Sequence, residues 1–361
     1  MVRKESTKRL SKVSKTLTAG WSIPQAKAAT ATPLVYVHTG IAYVYSNNPE
    51  NIGPTDKIPW TPVPVTGAFT IEKKLTAGSL YDVEFYHCMK VGGMEVGIAI
   101  QNRGSPTATI TVSAKATRSD GGRDSATLVE TDYQNGKGST TMTVAPNGAQ
   151  WVLLIDNLAV NNYVVGKVKL KSDVADVWIR VIYGPAGVPA STVMSYPQTT
   201  HYITPGPGNY SGTTTGYFTH DALTTSVDFS QGQSLFVLPG WSTDPQPPIS
   251  EYEAALAIPP PHGPCGPLEN SNDVVLGGNY GMVYQITIAH ASGKILKITP
   301  NSVSPAPGSG TIVVQTPDSS SWAKYSIDVG GSQTFPIKSA PWVLKFVQPG
   351  GNSSNFTFTI I

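Results

Sequence analysis

Charged residues are scarce in this chain of 361 residues. Asp, Glu, Lys and Arg together make up 13 % of it, about half of the share that is usual in globular proteins. A long coiled coil is excluded, because it needs abundant charge and this sequence holds 30 Pro. The chain also lacks an uninterrupted apolar run of about 18 residues, which excludes a membrane-spanning helix. The hydrophobic fraction of 40 % still suffices for a folded core.

Positive charge is concentrated at the start of the chain. Residues 1–27 hold seven basic residues and one acidic residue, whereas residues 200–361 hold five Lys, no Arg and nine acidic residues. We therefore expect a folded body that does not bind nucleic acid, since phosphate binding needs clustered Lys and Arg.

The basic segment at 1–29 has three interpretations. It is a secretory leader with Ala26-Lys27-Ala28 as a small-residue cleavage site before Ala29, a disordered arm of the kind that capsid proteins use against a genome, or a solvated tail without a role. The leader interpretation predicts a mature protein that begins at Ala29.

The standard motifs of catalysis and cofactor binding are missing. The sequence has no Cys-x-x-Cys, no His-Glu-x-x-His, no Gly-x-Ser-x-Gly and no phosphate-binding Gly-Lys-Ser/Thr. Six His are spread along it, and His38 and His87 lie in strand-like runs where they could meet inside a sandwich. Of the two Cys, we expect Cys88 to be a buried free thiol, because a disulfide to Cys265 would have to cross domains.

Apolar residues alternate with polar ones through most of the chain. Such a period of two predicts half-buried strands, whose side chains point to opposite faces. Gly- and Asn-rich turns recur between these runs, which is typical of a β-sandwich or jelly roll. Clear examples are the runs 95–100, 107–112, 167–171, 177–181 and 356–360.

An order of features recurs in the two halves. Strand-like runs begin at Tyr81 and Tyr284, and each is followed by a second alternating run and a Ser-Pro turn. A closing run then leads to Trp151 in the first half and to Trp342 in the second. We therefore predict an all-β protein of two tandem, jelly-roll-like β-sandwich domains related by internal duplication, at 30–195 and 196–361.

The same segments resemble a known group of proteins. Residues 82–87, 98–102 and 276–284 are similar to segments of uncharacterised secreted two-module proteins from Gram-positive spore-forming bacteria. The resemblance covers most of residues 34–361. It implies an exported, β-rich protein of the cell surface or matrix, with no assigned activity and no functional residues to transfer.

A long Pro-rich loop at about 239–278 holds the candidate ligand-binding residues. Trp241, Tyr252 and His262 could form an aromatic platform for a sugar ring. A capping box at Ser250 predicts a short helix that ends before Pro259. Calcium is the candidate ion for four oxygen-bearing side chains in this loop, namely Glu269, Asn270, Asn272 and Asp273.

Four functions are compatible with these features. The sequence favours a non-catalytic, secreted or cell-surface structural and interaction protein that needs no cofactor and whose partners are copies of itself or cell-surface polymers. The alternatives are a pair of carbohydrate-binding modules, a viral jelly-roll capsid subunit with a basic N-terminal arm, and a metal-dependent enzyme of β-sandwich or cupin type.

Overall fold

The chain is mostly β-structure in a computed structural model. Strands hold 58 % and helices 7 % of the residues described. Among them no helix is long and apolar enough to cross a membrane. The described residues are 31–33, 37–47, 51–53, 65–119, 123–199, 215–218, 220–228, 234–237, 281–300, 310–328, 330–349 and 356–361.

Two sheets form the first sandwich. Sheet I has the order β13-β3-β6-β11-β8-β9, with β4 paired to β6, and sheet II has the order β10-β7-β12-β5. The strands of sheet I are β3 (Ala42–Ser46), β4 (Asn51–Ile52), β6 (Tyr81–Met89), β8 (Ala108–Arg118), β9 (Thr140–Val144), β11 (Tyr163–Ser172) and β13 (Thr215–Phe218). Those of sheet II are β5 (Ala68–Lys74), β7 (Met94–Asn102), β10 (Ala149–Leu158) and β12 (Val177–Pro185).

Two further sheets form the second sandwich. Sheet III has the order β1-β15-β22-β17-β20, and sheet IV has the order β19-β18-β21-β16-β14-β2. The strands of sheet III are β1 (Ala31–Pro33), β15 (Ser234–Val237), β17 (Ile295–Pro300), β20 (Gln333–Pro336) and β22 (Phe356–Ile360). Those of sheet IV are β2 (Val37–Thr39), β14 (Ala222–Val227), β16 (Val283–Ile288), β18 (Gly310–Gln315), β19 (Ala323–Ile327) and β21 (Trp342–Val347).

Both sandwiches have the jelly-roll strand order. Among the eight strands β5–β12, the first, eighth, third and sixth are neighbours in sheet II, and the second, seventh, fourth and fifth are neighbours in sheet I. The strands β15–β22 follow the same order in sheets III and IV. The fold class expected from the sequence is therefore confirmed, and the duplication behind it stays a prediction.

The cores lie between the paired sheets. In β6 the side chains of Tyr81, Val83 and Phe85 belong to the apolar core, whereas Asp82 and Glu84 alternate with them. In the second sandwich, Phe346 contacts Phe358 with 5.6 Å between ring centroids. Because strand side chains alternate in direction, the acidic residues of β6 lie on the outer face of sheet I.

A helix covers this outer face. Helix α1 (Arg123–Gln134) connects β8 to β9, and helix α2 (Ala190–Val193) follows β12. From α1, Ala126, Val129 and Tyr133 pack on outward side chains of sheet I, and the same helix contacts β18 and β19 of the second sandwich. Helix α1 therefore lies between the two sandwiches.

An antiparallel ribbon also joins the two sandwiches. Residues 37–39 pair with residues 222–224, and residues 43–46 pair with residues 215–218. Three residues separate the two ladders on each strand, so a single register runs along the whole ribbon. One strand of the ribbon continues as β3 in sheet I, parallel to β6, and the other continues as β14 in sheet IV, parallel to β16.

Three strands pair with the sandwich on the other side of the expected domain limit. The segment holding β1 and β2 precedes the first sandwich in sequence but pairs in sheets III and IV. Strand β13 follows the expected limit near residue 195 but pairs in sheet I. The division into domains at 30–195 and 196–361 stays a prediction, and these strands pair across that limit.

Candidate functional site

The ligand-binding residues expected from the sequence lie outside the described residues. This holds for the aromatic platform, for the helix expected at 250–257 and for the candidate calcium loop. These hypotheses remain predictions. The residues concerned are Trp241, Tyr252, His262, Glu269, Asn270, Asn272 and Asp273.

The histidines do not gather in the described part of the chain. His38 lies in β2 of sheet IV and His87 in β6 of sheet I, where His87 Nε2 lies 3.1 Å from the Ser46 hydroxyl. His290 Nδ1 lies 3.1 Å from Asp228 Oδ1 at the surface. Within the described ranges, no three His, Cys, Asp or Glu side chains are placed to hold one metal ion. Cys88 is a buried free thiol, as expected.

Within the described residues, the main concentration of buried ionisable side chains is at the joint between the sandwiches. We call it the joint cluster and define it as Asp82 and Glu84 of β6, Glu130 of α1, and Lys167 of β11. All four side chains are at most 3 % exposed. Asp82 and Glu84 lie opposite Lys169 and Lys167 in the β6–β11 ladder, so the strand register itself places carboxylates beside an ammonium group.

Lys167 is the centre of this cluster. Its Nζ lies 3.1 Å from Glu84 Oε2 and 3.6 Å from Asp82 Oδ2, and it also donates to Glu130 Oε1. A fourth contact reaches the second sandwich, where Nζ donates to the Gly281 carbonyl at 2.7 Å. The ammonium group therefore holds three carboxylates of the first sandwich and one backbone oxygen just before β16.

Aromatic residues and a glycine surround the joint cluster. The Tyr43 hydroxyl donates to Glu84 Oε2 at 2.8 Å, and Nζ of Lys167 lies 4.8 Å from the centre of the Tyr133 ring. Gly281 has φ +75°, and a Cβ there would be 2.2 Å from Glu84 Oε2. A residue without a side chain is thus required for the second sandwich to approach the carboxylate so closely.

We predict that Gly281→Ala destabilises the protein more than Gly293→Ala does. Both glycines have similar positive φ values, +75° and +77°, but a Cβ at 293 has nothing within 4 Å. The control therefore carries only the backbone strain of about 1 kcal/mol, and Gly281→Ala adds the contact with Glu84. Urea unfolding of both variants measures the difference, and equal losses would contradict the close approach at the joint.

Burial and mutual repulsion change the acidity of the cluster. Burial raises the pKa of Glu130 from 4.5 to about 8, against the attraction of Lys167 and together with the repulsion of Glu84. For Lys167, burial lowers the pKa but the three carboxylates raise it, and its pKa lies well above the usual value. At neutral pH we therefore expect Glu130 to hold its proton and Lys167 to be charged.

The ribbon carries a further acidic group close to the joint. Asp221 is buried and its Oδ1 accepts a hydrogen bond from the Ile41 N–H at 2.8 Å. Burial, together with the repulsion of the Asp82 carboxylate, raises its pKa from 3.8 to about 6. The charges of the ribbon and of the joint cluster are therefore coupled.

A second contact between the sandwiches depends on one side chain. Just after α1, Asn135 Nδ2 donates to the Trp322 carbonyl at 2.9 Å, and the Trp322 N–H donates to Asn135 Oδ1 at 2.8 Å. This pair resembles two rungs of a strand ladder and fixes the end of α1 against the segment before β19.

A surface cavity of about 310 Å³ lies beside α1. Its cations already have partners, because Arg118 and Lys137 both contact Asp132, at 2.7 and 2.6 Å, and Lys115 donates to the Val152 carbonyl. The lining is completed by Ala116, Thr117, Gly138, Leu153 and Leu154.

Sequence reasoning did not find the joint cluster. It placed the lysines of 167–171 on one face of a strand, and the structure confirms the strand. It did not foresee that a helix and a second sandwich would cover this face, with Lys167 fully buried and Lys171 exposed. The available signal was the helical spacing of Ala126, Val129 and Tyr133, which precedes the Asn135-Gly136 turn.

Comparison with known proteins gives weak likenesses to solved structures. No protein-family model and no curated protein matches the sequence. Among solved structures, the CUB1-EGF-CUB2 region of human MASP-1/3 aligns with 81 % of this chain and 100 % of its own, at 9 % identity and a TM-score of 0.21.

Two other solved structures align at similar levels. The T=1 nodavirus of Penaeus vannamei aligns with 91 % of this chain and 97 % of its own, at 10 % identity and a TM-score of 0.17. The PBSX exported protein XepA aligns with 82 % of this chain and 86 % of its own, at 9 % identity and a TM-score of 0.16. These TM-scores are too low to show a shared fold. The strand order itself shows that the chain is an all-β protein of two jelly-roll sandwiches.

Proposed function

We propose that this chain is a non-catalytic structural protein of the cell surface or extracellular space, which assembles with copies of itself. The observation that carries the proposal is that the joint cluster connects the two sandwiches to each other. Its four ionisable side chains are enclosed between the sandwiches and contact one another. Groups buried in this way join two modules and are closed to a substrate.

The edges of the sheets support self-assembly. Strand β9 is an edge of sheet I and pairs only with β8 among the described strands. Its sequence, Thr-Thr-Met-Thr-Val, has no charged residue and no Pro, and its Thr side chains are exposed. Unprotected edges of this kind present free backbone groups to another strand. Export is supported by the leader-like start and by the resemblance to secreted two-module proteins.

A viral capsid subunit is the second candidate. The specific observation in its favour is the charge of residues 1–27, with seven basic residues and one acidic residue. A segment of this composition suits binding to a nucleic-acid backbone.

One experiment separates the two candidates. The full chain, a variant without residues 1–29, and a full-length variant with the seven basic residues of 1–27 changed to Gln are purified. Light scattering after size exclusion, electron microscopy and the absorbance ratio of nucleic acid to protein are then compared. Assemblies without nucleic acid in all three support the first proposal. Particles that hold nucleic acid only with the basic residues present favour a capsid, and monomers at every concentration contradict both.

A further inference from the structure

The surface cavity beside α1 has walls from both sheets of the first sandwich. We call it the basic cavity and define it by six of its lining residues, Lys115, Arg118, Asp132, Lys137, Leu153 and Leu154. Two of them lie in β8 of sheet I, two lie in β10 of sheet II, and two lie at the end of α1 and in the turn after it. Its volume of about 310 Å³ is at the lower end of the range for small-molecule sites, about 300–1,000 Å³. The cavity is therefore large enough for a small ligand.

Positive charge prevails in the basic cavity. Three of its lining residues are basic, and one, Asp132, is acidic. Asp132 holds two of the cations in place, because its Oδ2 lies 2.7 Å from Arg118 Nη2 and its Oδ1 lies 2.6 Å from Lys137 Nζ. Arg118 Nη1 also donates to the Thr117 carbonyl. A guanidinium group has five N–H groups and an ammonium group has three, so these bonds leave donors for a ligand, and the charge of the lining favours an anion.

The third cation, Lys115, is held in place by its backbone. Its N–H donates to the Lys137 carbonyl at 2.8 Å, and a Cβ at Gly138 would lie 2.6 Å from the Lys115 carbonyl oxygen. The turn after α1 therefore lies directly against β8. The Nζ of Lys115 donates only a long bond, 3.3 Å, to the Val152 carbonyl. A carboxylate is a stronger acceptor for this ammonium group than a neutral carbonyl is.

One wall of the basic cavity is apolar. Leu154 is 36 % exposed, and it lies with Leu153 on β10, which is an edge of sheet II among the described strands. Small-molecule sites combine apolar surface of this kind with a few placed polar groups. An inorganic ion would leave this wall uncovered, whereas an organic anion covers it.

We infer that the basic cavity binds a small organic carboxylate, such as a uronic acid unit of an acidic polysaccharide. Its carboxylate accepts hydrogen bonds from Lys115, Arg118 and Lys137, and its ring lies against Leu154. All of these residues belong to the first sandwich. The inference therefore stands independently of the self-assembly proposed above.

Calorimetric titration of the full chain with free glucuronate tests this inference. D-Glucose is the matched control ligand, because it has the same ring without the carboxylate, and inorganic phosphate is an anion without an apolar body. We expect glucuronate to bind about tenfold more tightly than glucose, since a hydrogen bond to a charged group contributes about that much. We also expect it to bind several-fold more tightly than phosphate, and to bind more weakly as salt is added.

Variants of the lining locate the site. Lys115→Gln combined with Lys137→Gln removes two of the cations and should weaken glucuronate binding about tenfold. The matched control is Lys171→Gln combined with Lys294→Gln, which removes two exposed lysines outside the cavity and should have little effect. Leu154→Ser should weaken the binding of glucuronate several-fold and leave that of phosphate unchanged. Urea unfolding checks that each variant is folded, and the comparison of ligands on the unmodified chain needs no variant.

Three results would each overturn the inference. They are the absence of glucuronate binding, glucuronate binding no tighter than that of glucose or phosphate, and equal losses in the cavity variant and its control. Self-association is measured separately by light scattering, so a failure of this inference leaves the proposed function standing.

Discussion

Replacing Lys167 by Met is expected to lower the free energy of unfolding by about 3–5 kcal/mol, the usual cost of removing one partner from a buried ion pair. Lys167 is the cation that contacts Asp82, Glu84 and Glu130, and all of these groups are buried. Its loss leaves negative charges facing one another without solvent. It also leaves the Gly281 carbonyl without the donor that ties the second sandwich to the first. Urea unfolding followed by Trp fluorescence measures the loss.

Two variants control this experiment. Lys171→Met changes an exposed lysine of the same strand and should have little effect. Lys167→Met combined with Asp82→Asn and Glu84→Gln removes the two carboxylates that contact the lost ammonium group and stay charged at neutral pH, where Glu130 holds its proton, and we expect it to recover a large part of the loss. A loss from Lys167→Met no greater than that from Lys171→Met would contradict the assigned role, and the triple variant keeps the test valid if the single variant does not fold.

The stability of the protein is expected to decrease as the pH rises from about 4.5 to about 8. The pKa of Glu130 is about 8 in the folded chain, against an ordinary value of 4.5 for a glutamate side chain. Within this window the folded state keeps a proton that the unfolded state has lost. Because the folded state binds more protons, the free energy of unfolding falls with pH, by up to about 1.4 kcal/mol per pH unit for one such group.

The raised pKa of Asp221 also makes the free energy of unfolding fall as the pH rises, over a lower pH range. Its pKa is about 6 when folded against 3.8, so its contribution is complete below about pH 4 and is lost as the pH passes 6. Lys167 adds no slope here, since its raised pKa keeps it charged in both states. The other groups that face Glu130 are Asp82 and Glu84 of β6 and Tyr133 of its own helix.

Glu130→Gln tests the source of this slope. The amide keeps the shape and stays neutral, so the fall in stability between about pH 6 and about pH 8 should largely disappear. Urea unfolding at a series of pH values supplies the measurement, with Asp124→Asn, an exposed position in the first turn of the same helix, as the control. A slope that is unchanged in Glu130→Gln would show that another group causes it.

Period-two patterns predicted the strands correctly, because each sandwich has one apolar face per sheet. The runs at 95–100 and 356–360 became β7 and β22. The features that open the internal repeat also fall on corresponding strands, with Tyr81 in β6 and Tyr284 in β16.

The features that close the internal repeat do not fall on corresponding strands. Trp151 lies in β10, the sixth strand of the first jelly roll, whereas Trp342 lies in β21, the seventh strand of the second. A Trp at the start of a strand is a local pattern, and local patterns do not state which partner a strand will have.

The joint between the sandwiches could not be predicted from the sequence, for a related reason. Glu84 and Lys167 are 83 positions apart in the printed sequence, and their contact depends on the β6–β11 register. The outer face of a sheet shows the same alternation whether it faces water or a second module. The ribbon was missed as well, since its two strands are far apart in the sequence: Ile41 and Asp221, which bond to each other in it, are 180 positions apart.

Scanning calorimetry of the full chain near pH 6 tests most directly whether the ribbon and the joint cluster make the two sandwiches a single unit. We expect one transition whose calorimetric and van't Hoff enthalpies agree, as for an all-or-none process. Two separate transitions, with the first shifted by changes in one sandwich only, would contradict this account.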